Sequence, residues 1–247
     1  MFQGKMKALT FSYDDAVTQD IRLIKLFNKY NMKATFNINS DLLGREGHLI
    51  REEVRVNHTK HKPEDIRHIY EGHEVAVHTL THPNLLNISN TLSEEESRKE
   101  IIRQVEQDRI QLSELCGYEV VGMAYPCGGN CYDDRVSGII RDFTGVKYAR
   151  TTRSTYSFDQ QSNLLQFHPT VYHHREMDKM FELGEQFLAM RPDVPQVYYV
   201  WGHAYEFDIH DDWARFEAFL EMMSGREDIC YCTNREALLA LEKNFSC

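Results

Sequence analysis

Four short stretches of the chain carry residue types that could do chemistry together. Asp14-Asp15 closes an apolar run, and His78-Thr79-Leu80-Thr81-His82 pairs two imidazoles across three residues. Tyr125-Pro126-Cys127-Gly128-Gly129 and Trp201-Gly202-His203 follow two further apolar runs. An H-x-x-x-H spacing puts two imidazoles on one face of a helical turn. With one carboxylate they form a facial set of two imidazoles and one carboxylate. Such a set suits Zn2+ or another divalent transition ion and leaves positions open for water and substrate. Side chains of consecutive residues diverge, so one of Asp14 and Asp15 can hold an ion while its neighbour stays free as a base.

The elements that must position these groups alternate between strand-like and helix-like. Strand patterns fall at Lys7–Tyr13, Ala34–Ile38, Glu74–His78, Val120–Tyr125, within Gly145–Arg150, at Gln196–Trp201 and at Ile229–Cys232. Thr18 is the expected N-cap of a helix through Ile21, Leu23, Ile24, Leu26 and Phe27. Pro63 suits the first turn of a short helix before Gly72. Ser93-Glu94-Glu95-Glu96 reads as a capping box opening one long helix to Leu115, stopped near Gly117. Helical patterns recur at about 133–143, 176–190 and 216–223, with Gly225 a stop signal, and Thr233-Asn234-Arg235-Glu236 caps the last helix. Alternation over a whole chain implies a parallel sheet with helices outside. Seven or eight units favour an α/β fold of the distorted (β/α) barrel type, TIM-like, as a single domain over 1–247 with its core at about 6–242. Active sites of such barrels sit at the C-terminal ends of the strands. All four stretches occupy such ends.

In order and spacing, Thr10-Phe11-Ser12-Tyr13-Asp14-Asp15-Ala16, His78–His82, Tyr125-Pro126-Cys127-Gly128 and Trp201-Gly202-His203 resemble the NodB-type polysaccharide deacetylases, carbohydrate esterase family 4. The resemblance spans essentially the whole chain. It implies a distorted (β/α) barrel and metal-dependent hydrolysis of the N-acetyl amide of a sugar or glycoconjugate. By position it implies Asp15, His78 and His82 as metal ligands, Asp14 as general base, His203 as general acid and the Cys127 backbone N–H as donor to the oxyanion. One divalent ion is expected, Zn2+ first, with Co2+, Ni2+ or Mn2+ as alternatives. Tyr125, Pro126, Arg150 and Trp201 are the expected substrate-binding residues.

Three positions depart from the family pattern. Ala16 stands where Gly is usual, which is tolerable if its φ is negative. Ala124 replaces the Arg that orients the base; Arg150, ending the adjacent strand, could reach the same carboxylate or form a surface ion pair. Cys127 replaces an aromatic residue, which keeps the N–H but removes a ring from the cleft; a nucleophilic or metal-binding thiol is the weaker alternative. Asp159 and Asp208 are candidates to orient His203. His173-His174 reads as a solvated loop rather than a second metal site, Trp213 as packing, and Asp41–Tyr70, with its histidines, as a surface insertion near the cleft.

Composition bounds the rest. The 247 residues are 42% apolar and 27% charged, ordinary for a globular protein, and 28 Lys+Arg against 38 Asp+Glu give a net charge of −10. That balance lacks the basic footprint of a nucleic-acid or polybasic membrane binder. No run approaches the ~20 apolar residues of a bilayer span, and residues 1–7 contain no apolar signal region. The expectation is a cytoplasmic protein with reduced thiols, no nucleic-acid or membrane partner, and a small sugar substrate. Hydrolysis of another linear or cyclic C–N amide, and an inactive metal-containing carbohydrate-binding protein, are the alternatives. The oligomeric state is not encoded in any of these features.

Overall fold

The computed structural model describes residues 2–242. The first strand, β1 (Lys7–Asp14), is buried along all eight residues, as a parallel strand covered on both faces is, although Thr10, Ser12 and Asp14 alternate with Leu9, Phe11 and Tyr13 in its sequence. It leads to α1 (Asp20–Lys29) and β2 (Thr35–Ile38), then a hairpin of β3 (His48–Arg51) and β4 (Val54–Asn57). Next come α2 (Ile66–Ile69), β5 (Glu74–Val77), α3 (Leu85–Thr91) and α4 (Glu94–Ile102); a π-helical turn over Arg103–Gln107 joins α4 to α5 (Asp108–Cys116). The chain continues through β6 (Gly122–Ala124), α6 (Asp134–Phe143), β7 (Tyr148–Arg150), β8 (Val171–Tyr172) and α7 (Met177–Ala189). It ends with β9 (Gln196–His203), α8 (Phe207–His210), α9 (Trp213–Met223), β10 (Ile229–Tyr231) and α10 (Asn234–Glu242).

One curled parallel sheet runs in the order β7-β6-β5-β2-β1-β9-β8. The first half of β1 also pairs with β10 (Lys7 with Ile229), while its last residues pair with β2 (Asp14 with Asn37). The β7 end is drawn towards the β8 end by the segment between them. Phe167 bridges Arg150 in parallel, and the Thr170 N–H donates to the Tyr199 carbonyl at 2.8 Å. The sheet is therefore a nearly closed distorted barrel wrapped by helices, as the alternation predicts. The core lies between sheet and helices, where Phe11, Tyr13, Phe27 and Phe216 interlock edge to face and tilted. Such pairs add about 0.5–1.5 kcal/mol each beyond their buried area.

Local signals mostly hold. Ser93 and Glu96 form the capping box of α4, and Thr233 and Glu236 form its counterpart at α10. Gly117 ends α5 in the left-handed conformation, φ +76°. Thr18 is not a cap: its N–H donates to the Thr59 carbonyl, α1 starts at Asp20, and Ile21 faces solvent. The single long helix is in fact interrupted by the π turn, a feature that serves the site below. Among the described residues no helix is long and apolar enough to cross a membrane.

Candidate active site

Asp14 and Asp15 end β1, His78 follows β5, Cys127 follows β6, Arg150 ends β7 and His203 ends β9. The curl of the sheet gathers these C-terminal ends around one cleft of about 660 Å3. One oxygen of Asp15 and one ring nitrogen each of His78 and His82 lie within 4.8 Å of one another. A tetrahedral ion with bonds of ~2.0–2.2 Å places its donors about 3.3 Å apart, so this set closes on an ion with modest side-chain adjustment. The His78 Nδ1–H donates to the Ala124 carbonyl at 2.9 Å, which fixes the tautomer with Nε2 facing the cleft.

The two imidazoles converge, with ring centroids 4.9 Å apart, but not on a helical turn. Residues 78–82 form a loop in which Thr79 and His82 have φ of +67° and +61°. The π turn holds this loop. Gln104 accepts from the Leu80 N–H through its main chain (2.9 Å) and from the Thr81 N–H through its side chain (3.2 Å). One turn on, Asp108 accepts from the N–H groups of His78 (3.1 Å) and Ser40 (2.8 Å). Asp15, Ala16 and Cys127 are also left-handed, at +89°, +53° and +66°. Each such non-glycine residue costs on the order of 1–3 kcal/mol, and such strain clusters at functional sites. Ala16 thus does not meet the condition of a negative φ under which its replacement of Gly is tolerable without strain.

Asp14 is 2% exposed and lies between two imidazoles, 3.8 Å from His78 Nε2 and 3.9 Å from His203 Nε2. Arg150 donates to both its oxygens (2.6 and 2.5 Å), and Asn37 donates to Oδ1 at 2.7 Å. Arg150 has no exposed surface and stacks 4.3 Å over Trp201. Against its expected place among the substrate-binding residues, it stands behind Asp14 and does not line the cleft. Pro126 is buried and does not line the cleft either. Tyr125 and Trp201 do reach the cleft wall; the Tyr125 hydroxyl donates to the Leu165 carbonyl, and the Trp201 ring stacks on Tyr172.

His203 is oriented by neither Asp159 nor Asp208. Asp159 accepts from the Ser157 hydroxyl, and Asp208 accepts from Gln19 and Trp213. The partner is Glu206, fully buried, with Oε1 3.0 Å from His203 Nδ1 and Oε2 accepting from the His203 N–H. Arg51 and the Tyr172 hydroxyl complete its shell. Burial is the largest influence and would push the Glu206 carboxyl up, but the charge and hydrogen bond of His203, with His173 and the Tyr172 hydroxyl, together hold it at about 2. Burial likewise acts to lower the His203 imidazole, yet Glu206, Asp14 and Asp15 leave it raised.

Residues 41–70 do more than cover the cleft. His58 Nε2 lies 3.1 Å from Asp15 Oδ2, and Lys60 Nζ lies 3.4 Å from Oδ1. Against the upward push of burial, Lys60 and then His58 hold the Asp15 carboxyl well below its ordinary value. An ionised carboxylate is the form that binds metal. No spacing in the sequence marks His58 or Lys60, because the β3–β4 hairpin returns them to the site through the fold. His173 and His174 are buried, not solvated; His173 stacks on Phe207 with centroids 4.3 Å apart. The Cys127 thiol is half-buried, and burial followed by the nearby Asp15 charge raises its pKa, which disfavours the thiolate.

The family model described as polysaccharide deacetylase matches residues 2–148. The chain belongs to the polysaccharide deacetylase family. No curated protein matches the sequence. Among solved structures similar to this deacetylase-family chain is the PuuE allantoinase, with a TM-score of 0.67 at 11% identity over 97% of this chain and 90% of that one. A family 4 acetyl xylan esterase from Clostridium thermocellum, in complex with a cobalt ion, aligns at a TM-score of 0.56 and 13% identity, over 96% and 92% of the two chains. A mutant of a CE4 family pseudoenzyme with restored enzymatic activity aligns at 0.55 and 18%, over 96% and 69%. At these identities the likeness is one of fold.

Proposed function

We propose that this member of the polysaccharide deacetylase family is a divalent-metal-dependent hydrolase that removes the acetyl group from an N-acetylated sugar or glycoconjugate. The convergence of Asp15, His78 and His82 in the same cleft as the buried Asp14–Arg150 pair and His203 carries the reading. A bound ion, Zn2+ by the imidazole-rich donor set, supplies Lewis acidity and acidifies water. Asp14 then takes the proton of the attacking water, held in place by Arg150 and Asn37. The Cys127 N–H donates to no described residue and is free for the charge developing on the amide oxygen. His203, whose protonated form Glu206 favours, gives its proton to the departing amine.

A second reading, hydrolysis of another C–N amide, draws on Arg51 and Lys60 lining the same cleft without an aromatic ring at position 127. Cations there suit a small anionic amide better than a neutral sugar chain. One experiment tests both: acetate and amine release over a panel of N-acetylated sugars and carboxylated linear and cyclic amides, with zinc content measured alongside. Asp14→Asn and His203→Ala should each keep the ion and lose ~10²–10⁴-fold in rate. Turnover by Asp14→Asn at the wild-type rate would overturn the base assignment. Equal sugar binding by all three proteins with no hydrolysis would instead make the chain a binding protein.

A further inference from the structure

A second group of metal-ligating side chains lies outside the cleft, and the proposed reaction does not use it. Glu52 sits at the tip of the β3–β4 hairpin, in a turn where Glu52 and Glu53 both have positive φ (+51° and +64°). His174 follows β8, and His210 is the last residue of α8. His174 Nε2 lies 3.2 Å from one Glu52 oxygen and His210 Nε2 lies 2.9 Å from the other. The imidazoles are stacked nearly parallel, 5.5 Å between centroids and 11° between planes. The three ligand atoms lie within 4.8 Å of one another.

We infer that Glu52, His174 and His210 form a second site for a divalent transition ion, one that clamps the hairpin tip to the barrel. Each imidazole already lies near the ~3.3 Å donor spacing of a tetrahedral ion from one Glu52 oxygen, a different oxygen for each ring; the three donors, within 4.8 Å of one another, have to close further on a shared ion. Two imidazoles and one carboxylate select Zn2+, Ni2+ or Cu2+ over Mg2+ or Ca2+. The side chain of His174 is 2% exposed and that of His210 is 52% exposed, so the inner imidazole is fixed while the outer side stays open to a water ligand. Arg175 is the competing cation, 3.8 Å from Glu52, but its side chain is two-thirds exposed and free to turn away.

The position gives the site a consequence for the cleft. Glu52 follows Arg51, whose guanidinium bonds the hydroxyls of Tyr205 and Tyr172 (2.9 Å each) and lies 3.1 Å from Glu206. An ion on Glu52 therefore anchors the strand end that delivers Arg51 to the carboxylate orienting His203.

The test needs no substrate. Chelator-stripped protein is titrated with Zn2+ alone, with stoichiometry read by calorimetry and elemental analysis, and the hairpin is probed by limited proteolysis at Glu52–Glu53. Wild type should bind two equivalents. His210→Ala and Glu52→Gln, both at partly exposed positions and expected to unfold at the wild-type temperature when stripped, should each lose one, with at least a tenfold fall in affinity at that site. His78→Ala should lose the other equivalent and keep this one. Zinc should slow cleavage of the hairpin in wild type and His78→Ala but not in His210→Ala. The inference is overturned if stoichiometry and zinc protection are the same in wild type, His210→Ala and Glu52→Gln. Loss of binding in His78→Ala alone would leave the cleft site standing and remove this one.

Discussion

Replacing Arg150 with Met removes the charge behind Asp14 while keeping an apolar stem against Trp201, and it isolates a more deeply buried ion pair than the Lys60–Asp15 pair of the same site. Arg150 is 0% exposed and Asp14 2%, and the guanidinium touches both carboxylate oxygens at 2.5–2.6 Å. With charge centres ~4 Å apart and an effective dielectric of ~20, the attraction is about 4 kcal/mol. Measured losses on removing one partner of a buried pair run at about 3–5 kcal/mol, because the remaining charge stays desolvated. For a chain of this size that corresponds to a fall in Tm of about 6–20 °C. The assay is urea and thermal unfolding at pH 7 with chelator present, so that no ion takes the guanidinium's place. Asp14→Asn should also destabilise by stranding Arg150, whereas Asp14→Asn/Arg150→Met strands neither charge. The double variant should therefore recover at least ~2 kcal/mol relative to the sum of the single losses. A loss below ~1 kcal/mol in Arg150→Met, or strict additivity in the double variant, would refute the pair as the support of Asp14.

Two further outcomes follow from buried titrating groups. His203 is raised by Glu206, so as a proton donor it stays loaded to higher pH than a free imidazole; Glu206→Gln should move the alkaline limb of the rate profile to lower pH, and an unmoved limb would count against the pairing. The same shift stabilises the fold fully below the ordinary imidazole value and is lost as pH rises through the raised one. Asp20 has no exposed surface, and burial, opposed by the Tyr70 hydroxyl, pushes its carboxyl up to about 8. Folded protein thus keeps a proton that the unfolded chain releases above its ordinary value near 3.8, so this group makes stability fall between about pH 4 and 8, by up to ~1.4 kcal/mol per pH unit. Asp20→Asn should flatten that slope in denaturant titrations; a slope equal to wild type would refute the shift.

Periodicity and neighbours within a few residues were enough to place the strand ends, both capping boxes and the order of the chemistry-bearing motifs. They also implied that Asp14, Asp15, His78, His82 and His203 would meet, since a parallel curled sheet brings all strand C-termini to one side whatever the loops do. What stands behind those groups depends on contacts between distant parts of the chain. Arg150 reaches Asp14 across 136 residues, and whether it faced the cleft or Asp14 depended on the curl of β7 towards β1. Glu206 prevailed over Asp159 and Asp208 because the turn after β9 directs it inward while the other two find surface partners. His58, Lys60 and Glu52 lie in a segment without spacing signals, yet the hairpin folds back and places two of them on Asp15 and the third between His174 and His210. The left-handed residues at Ala16, Thr79 and His82 are likewise a property of the closed site. Nothing in their side chains asks for that conformation; long-range hydrogen bonds donated to Gln104 and Asp108 hold the 78–82 loop in it.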